Sequence, residues 1–349
     1  MNARNLRRLT LPLITGLSLL GSQSVIAEEQ INTLNFGIIS TESSSNQAPM
    51  WEPFLADMSE QLGVEVKPFY ATDYAAVIQA MRFDKIDLAW YGNKSAMEAV
   101  DRAGGEIFAQ TVAEGGQPGY WSLMIVHQDS PYQSVDEMLK DAGELTFGNG
   151  DPNSTSGYLV PGYYIFAKRG IDPTEAFART LNSNHETNAL SIANKMVDVA
   201  TFNTESMARL EQTHPDKAEQ LRVIWKSPLI PSDPLVWREN LPEGIKAEMR
   251  EFFMAYGDDA DEQEILAALQ WDGFQASTDD QLLPIRQLEL FKQRAQIAND
   301  ATLATADKQQ KLEELDVKLA SLDKRLEAYE AAQARSADNA DNTTAMVTQ

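Results

Sequence analysis

The chain has 349 residues, 43% of them hydrophobic, a formal charge of −23 and no cysteine. That length allows two domains and a core that needs no cross-links. The missing thiols exclude disulfides, thiolate metal sites, a cysteine nucleophile and a lipid-modified cysteine behind an export signal. The acid excess repels nucleic acid and anionic lipid, and it repels an anionic ligand at long range, so any anion site must work by short-range geometry.

The first segment, MNARNLRRLTLPLITGLSLLGSQSVIAEEQ, has a basic start at Arg4, Arg7 and Arg8 and an apolar run from Leu9 to Leu20. Val25 and Ala27 are spaced for signal peptidase, so residues 1–27 read as a secretory signal cleaved after Ala27. The apolar run is too short to span a bilayer comfortably, and the mature chain is expected free in an exported compartment, without a lipid anchor. Next, TLNFGIIST (33–41) reads as a buried strand. MWEPFLADMSEQLG (50–63) reads as a helix with Trp51, Phe54, Leu55, Met58 and Leu62 on one face and Gly63 as its stop. VEVKPFYA is a second strand. DYAAVIQAMRF is a helix with Asp73 as N-cap, IDLAWY is a third strand, and Asn93 or Ser95 starts another helix. Strands alternating with helices predict a parallel α/β sheet.

After EGGQPG, the strand GYWSLMIV (119–126) marks a crossing into a second lobe. ELTFGNG, VDVATF and LRVIWKSP read as strands and ETNALSIANK as a helix, and the proline-punctuated PLIPSDPLVW carries the chain back. The expected division is lobe 1 over 28–118 and 235–290, lobe 2 over 119–234, C-terminal helices over 291–333, and a polar, disordered tail over 334–349. In the tail, Leu312, Leu315, Leu319, Leu322, Leu326 and Tyr329 form a short seam at spacings of three and four, which packs either on the chain's own body or on a second copy.

The stretch GNGDPNSTSGYLVPGYY (148–164) follows a strand and precedes a helix. Its glycines permit a tight turn, Asn153 or Ser154 can cap the helix, and the hydroxyls of Ser154, Thr155 and Ser156 add donors to a helix N-terminus that favours anions. The same residues also make an ordinary cap. His185 stands at a helix start, where imidazole stays neutral, and is otherwise a structural histidine. Glu205 follows a strand and Asp233 lies in the return crossing, which places both where α/β folds bind ligands; alone, one reads as a cap and the other as a turn residue. Tyr74 and Tyr120 offer hydroxyls or apolar walls, or simply pack in the core; AWYGN (89–93) can also line the crevice, though Trp90 and Tyr91 read as core. No H-E-x-x-H, G-x-S-x-G or Walker pattern occurs, the three histidines are far apart, and no cofactor or metal is expected.

Taken together, LNFGIISTES, DLAWYGNKSAMEAVDRAGG, PGYWS, FGNGDPNSTSGYLVPGYY, HETNA and VIWKSPLIPSDPLVWR resemble the phosphonate-binding periplasmic proteins of bacterial ABC transporters, from about Leu34 to about Phe291. The resemblance implies a two-lobed periplasmic binding protein fold of type II, with two interlobe crossings and a C-terminal helical extension. The family's phosphonate-binding hydroxyls match Ser154 and Thr155, its other phosphonate contacts match Tyr74, Tyr120 and His185, and its acids for the ligand's amine match Glu205 and Asp233. It further implies an alkylphosphonate ligand such as 2-aminoethylphosphonate, delivery to a membrane permease, no chemistry on the ligand, and pairing of two chains through the C-terminal helix. The competing readings are a binding protein for phosphate, phosphite or phosphate esters, and a hydrolase of phosphorus compounds.

Overall fold

The computed structural model describes the backbone of residues 31–347 and side chains as far as Ala332; the expected signal segment lies outside the described residues. The apolar run at the start forms strand β1 (Thr33–Ile38), with Leu34, Phe36 and Ile38 fully buried. Helix α1 (Ser44–Leu62) begins six residues before its apolar periodicity does and runs through Pro49 and Pro53, each of which removes a backbone donor. Tertiary packing outweighs that loss: the Trp51 and Phe54 rings lie 5.4 and 6.3 Å from Phe36. Strand β2 (Glu65–Tyr70), helix α2 (Tyr74–Arg82), strand β3 (Leu88–Trp90) and helix α3 (Asn93–Arg102) follow as expected, and the Asp73 carboxylate accepts from Ala76 N at 2.8 Å. Strand β4 (Gly105–Ala113), which its pattern did not mark, completes the outward part of lobe 1.

The chain then crosses through β5 (Gly119–Tyr120) into β6 (Ser122–His127). Along β6, Leu123 and Ile125 face one core cluster and Met124 and Val126 another, so the strand is apolar throughout because both faces are covered. The short helix α4 (Val135–Met138) leads to strand β7 (Thr146–Gly150), and α5 (Pro173–Ala176) leads to β8 (Arg179–Ser183). Helix α6 (His185–Ala193), strand β9 (Val199–Asn203), helices α7 (Thr204–Thr213) and α8 (Pro215–Ala218) and strand β10 (Leu221–Lys226) complete lobe 2. The return runs through β11 (Ile230–Pro231) into β12 (Pro234–Arg238), then α9 (Glu243–Ala255), α10 (Ala260–Ala268) and β13 (Trp271–Ala276).

Two sheets result, ordered β13-β4-β12-β3-β1-β2 and β10-β6-β9-β7-β8. They are mixed, not parallel as expected. The β1–β2, β1–β3, β7–β8 and β7–β9 pairs are parallel, but β12, β13 and β6 run against their neighbours. β6 and β12 each enter a sheet directly from a crossing, so they start from its opposite end and need no helical crossover. The crossings themselves pair, β5 with β11. A Cβ on Gly119 would sit 1.9 Å from the Ile230 carbonyl oxygen, so only glycine allows the two strands to lie this close.

Helix α11 (Leu283–Asn299) spans both lobes. Arg286 makes paired bonds of 2.7 and 2.6 Å to Asp101 of α3, while Phe291 stacks 6.0 Å from Tyr163 of lobe 2. Helix α12 (Thr305–Val347) folds back antiparallel on α11, with Gln287 bonded to Asp323 and Arg294 to Asp316. Leu315, Leu319 and Leu322 are buried, so the leucine seam packs on the chain's own body. The α12 backbone stays helical across residues 334–347, most of the stretch expected to be disordered; no glycine or proline interrupts it.

Candidate ligand-binding cleft

Strand β7 ends at Gly150, and the chain reverses through Asp151 and Pro152 into a π-helical turn, Thr155–Leu159. A Cβ on Gly150 would lie 2.5 Å from three backbone atoms of Gly157, so the strand end and the turn touch through bare backbone. Ser154 caps the turn: its Oγ accepts from Gly157 N at 2.9 Å. Ser154, Thr155 and Ser156 are all buried. Wide π-helical turns of this kind recur at functional sites.

All eight side chains singled out in the sequence line one cleft between the sheets: Tyr74, Tyr120, Ser154, Thr155, Ser156, His185, Glu205 and Asp233. The sheet positions them. Tyr74 opens α2, His185 opens α6, Glu205 lies in the first turn of α7, and Gly92, the N-cap of α3, lines the same wall. With the turn at Ser154, several helix N-termini meet there, each with unpaired N–H groups and a partial positive charge. Each has a donor already capped by a side chain, at Ala76 N, Gly157 N, Thr187 N and Ser206 N, and at α3 Lys94 N donates to Thr155 Oγ1 at 2.8 Å across the lobes. Short-range dipoles of this kind answer the long-range acidity of the chain.

Hydrogen bonds fix the tautomer of His185. Asn203 Oδ1 accepts from Ser206 N at 2.7 Å, so its Nδ2 faces Ser156 Oγ at 3.1 Å and His185 Nε2 at 3.2 Å. Nε2 is therefore an acceptor and Nδ1 carries the hydrogen, without a protein partner among the described residues. Burial, helped by the charge of Arg209, pulls the imidazole down to about 4, so it is neutral at pH 7.

The same cleft holds two acids, Glu205 and Asp233. Tyr120 OH donates to Asp233 Oδ1 at 2.9 Å, and Asn93 Nδ2 adds a longer bond of 3.4 Å. Burial pushes Asp233 well above the usual carboxylate range and the charge of Glu205 pushes it further, against the bond from Tyr120. Burial raises Glu205 too, and Arg209 partly opposes the rise. Glu205 is not the helix cap, because Asn203 fills that place. Burial holds the Tyr74 and Tyr120 hydroxyls well above their ordinary range, so both remain neutral donors. Two desolvated acids, one of them raised further by the other, favour a cation beside them.

Arg209, Asn203 and Thr41, which the sequence did not mark, also line the cleft, as does Gly92 of the AWYGN stretch. Arg209 is four residues from Glu205 on α7, a spacing that could have flagged it. Trp90 is core and wall at once: its ring lies 5.5 Å from Trp51, and its buried Nε1 has no partner among the described residues. The free space in the cleft is about 10 Å3, roughly one water, so a ligand enters only when the lobes part. A larger cavity, about 720 Å3, lies behind the turn between Tyr158 and Lys292 and holds none of the eight. No group of three or more histidines and acids that could hold a metal occurs among the described residues, nor any helix long and apolar enough to cross a membrane.

Residues 36–282 match the family described as the periplasmic substrate-binding protein of phosphonate ABC transporters. The chain is 54% identical over 331 residues to the phosphonates-binding periplasmic protein of Escherichia coli K12, covering 95% of this chain and 97% of that one. A Pseudomonas aeruginosa structure, the binding protein component of an ABC phosphonate transporter, superposes with a TM-score of 0.85 at 65% identity, covering 86% of this chain and all of that one. A phosphate-import protein of Mycolicibacterium smegmatis is 30% identical over 220 residues, covering 60% of this chain and 67% of that one. The lobes and their paired crossings are those of a type II periplasmic binding protein. The chain belongs to the family of periplasmic phosphonate-binding components of ABC transporters.

Proposed function

We propose that the chain captures 2-aminoethylphosphonate between its lobes and hands it to a membrane permease, without chemistry on the ligand. The observation that carries this reading is the pair Glu205 and Asp233, two acids raised by desolvation that line the same cleft as Ser154, Thr155, Ser156 and His185. The phosphonate end meets neutral donors and helix N-termini, each charge-assisted hydrogen bond contributing about 1.5–3 kcal/mol net. The ammonium end meets the acids. Phosphate brings no cation and would leave the buried Asp233 and the half-buried Glu205 beside an anion, which opposes the reading suggested by the phosphate-import relative. Isothermal titration with 2-aminoethylphosphonate, methylphosphonate and phosphate tests this: the first is expected to bind about a hundredfold more tightly than the others. Equal affinities would overturn it.

Export by cleavage after Ala27 and pairing of two chains through the C-terminal helix belong to the same reading. With Leu315, Leu319 and Leu322 facing α11, the opposite face of α12, around the exposed Val317, is what remains for a second copy.

An acid kept for a ligand burdens the empty protein. A folded-state pKa above the unfolded one means that Asp233 stabilises the fold below its unfolded value of 3.8, and that this contribution is lost as pH rises through the folded value. Asp233→Asn, which still accepts from Tyr120, is therefore expected to raise the melting temperature at pH 7 while weakening 2-aminoethylphosphonate binding. The gain over wild type should shrink as pH falls towards 3.8. A variant less stable than wild type at pH 7 would contradict this account of Asp233.

A further inference from the structure

Arg209 is the only cationic side chain in the lining of the cleft among the described residues, and Glu205, one turn earlier on α7, occupies the same helix face. A glutamate four positions before an arginine is the favourable order for an ion pair along a helix. That pair does not form here. Arg209 Nε lies 3.0 Å from Glu42 Oε1, both side chains being 8% exposed, and no oxygen of Glu205 comes within ion-pair distance. Glu42 follows β1 in lobe 1, whereas Arg209 and Glu205 belong to lobe 2, so the observed pair exists only while the lobes are together. Lobe 1 grips this turn of α7 a second time. The Gln270 amide, oriented to satisfy both its groups, donates to Glu205 O and accepts from Arg209 N, each at 2.9 Å. Alongside, Ser43 N donates to Glu186 at 2.9 Å, which holds the Glu42 loop against lobe 2.

We propose that Arg209 exchanges partners as the lobes close: Glu42 draws the guanidinium away from Glu205, and the released Glu205 carboxylate takes the ligand's ammonium. When the lobes part, Glu42 leaves, and the helical neighbour is the acid within reach. In that state an ammonium must compete with a cation already attached to the chain. Glu42 is thus a positioning residue for the amine end, acting through Arg209 without touching the ligand. The inference rests on the reading of Glu205 as an amine-binding acid.

The test is calorimetry with 2-aminoethylphosphonate and methylphosphonate on wild type, Glu42→Gln, Arg209→Gln and the double variant. Methylphosphonate binding serves as the check that each cleft is folded. Glu42→Gln is expected to lose about tenfold more affinity for the amino compound than for methylphosphonate, because Arg209 stays on Glu205. Removing the arginine as well is expected to bring the ratio of the two affinities back to within about threefold of wild type. Arg209→Gln alone should keep or raise that ratio. Equal losses for both ligands in Glu42→Gln would make the pair a simple latch and overturn the exchange, as would a double variant without recovery or a lowered ratio in Arg209→Gln. A wild-type chain with no preference for the amino compound would instead sink the functional reading, and the exchange with it.

Discussion

Glu205→Gln is expected to lower the affinity for 2-aminoethylphosphonate by about a hundredfold or more, because truncating one member of a desolvated charge pair costs about 2–5 kcal/mol. The shape of the wall is kept, since glutamine matches glutamate in size and Asn203, not Glu205, caps α7. The change is electrical. A carboxylate that faced the ammonium becomes an amide, and only Asp233 remains to meet the charge. Methylphosphonate has no ammonium, so its affinity should hold or rise, since one buried negative charge near the anion has gone. Calorimetry on the two ligands reads the difference directly. Parallel losses would show that Glu205 supports the fold of the cleft and does not recognise the amine.

Gly150→Ala is expected to abolish measurable binding of every phosphonate. A Cβ there would lie 2.5 Å from Gly157 backbone atoms, closer than any real contact of that kind, and backbone on both sides cannot yield as a flexible side chain would. Relief requires the turn at Thr155 to move off the end of β7, taking with it the Ser154 cap and the Ser156 bonds to Asn203 and His185. Overpacking of this sort costs about 1–3 kcal/mol of stability, occasionally more. The melting temperature should fall as well, but binding should vanish at temperatures where the chain is still folded by circular dichroism. A variant that binds methylphosphonate like wild type would show that the cradle tolerates the displacement, or that phosphonate is held elsewhere.

What could be read in advance was what depends on near neighbours in the chain. The apolar run of β1, the Asp73 cap and the helix opening at His185 all follow from local pattern, and the structure has them. Helix α1 was found, but its start was not, because aromatic packing carries the helix through two prolines that local rules treat as breakers. Strand direction was misjudged where it depends on the end from which the chain re-enters a sheet, as in β12. Ser154, His185 and Asp233 were legible through motif and resemblance, and the structure gathers them around one cleft. Arg209 was legible only through its spacing from Glu205 on α7; its pairing with Glu42 was not, since that residue lies in the other lobe. The π-helical form of the cradle was hidden as well, because it arises from the contact of Gly150 with Gly157.

The helix laid across both lobes has a mechanical consequence. Two short strands side by side, β5 and β11, resist bending in their own plane but offer little against torsion. α11 is bolted to Asp101 on one side and stacked on Tyr163 on the other, so it acts as a third leaf and stiffens that torsional freedom. Opening is therefore expected to follow a swing about one axis, as in a door with more than one hinge plate. A partner that reads the outer rims would then meet a gape with one degree of freedom, its width.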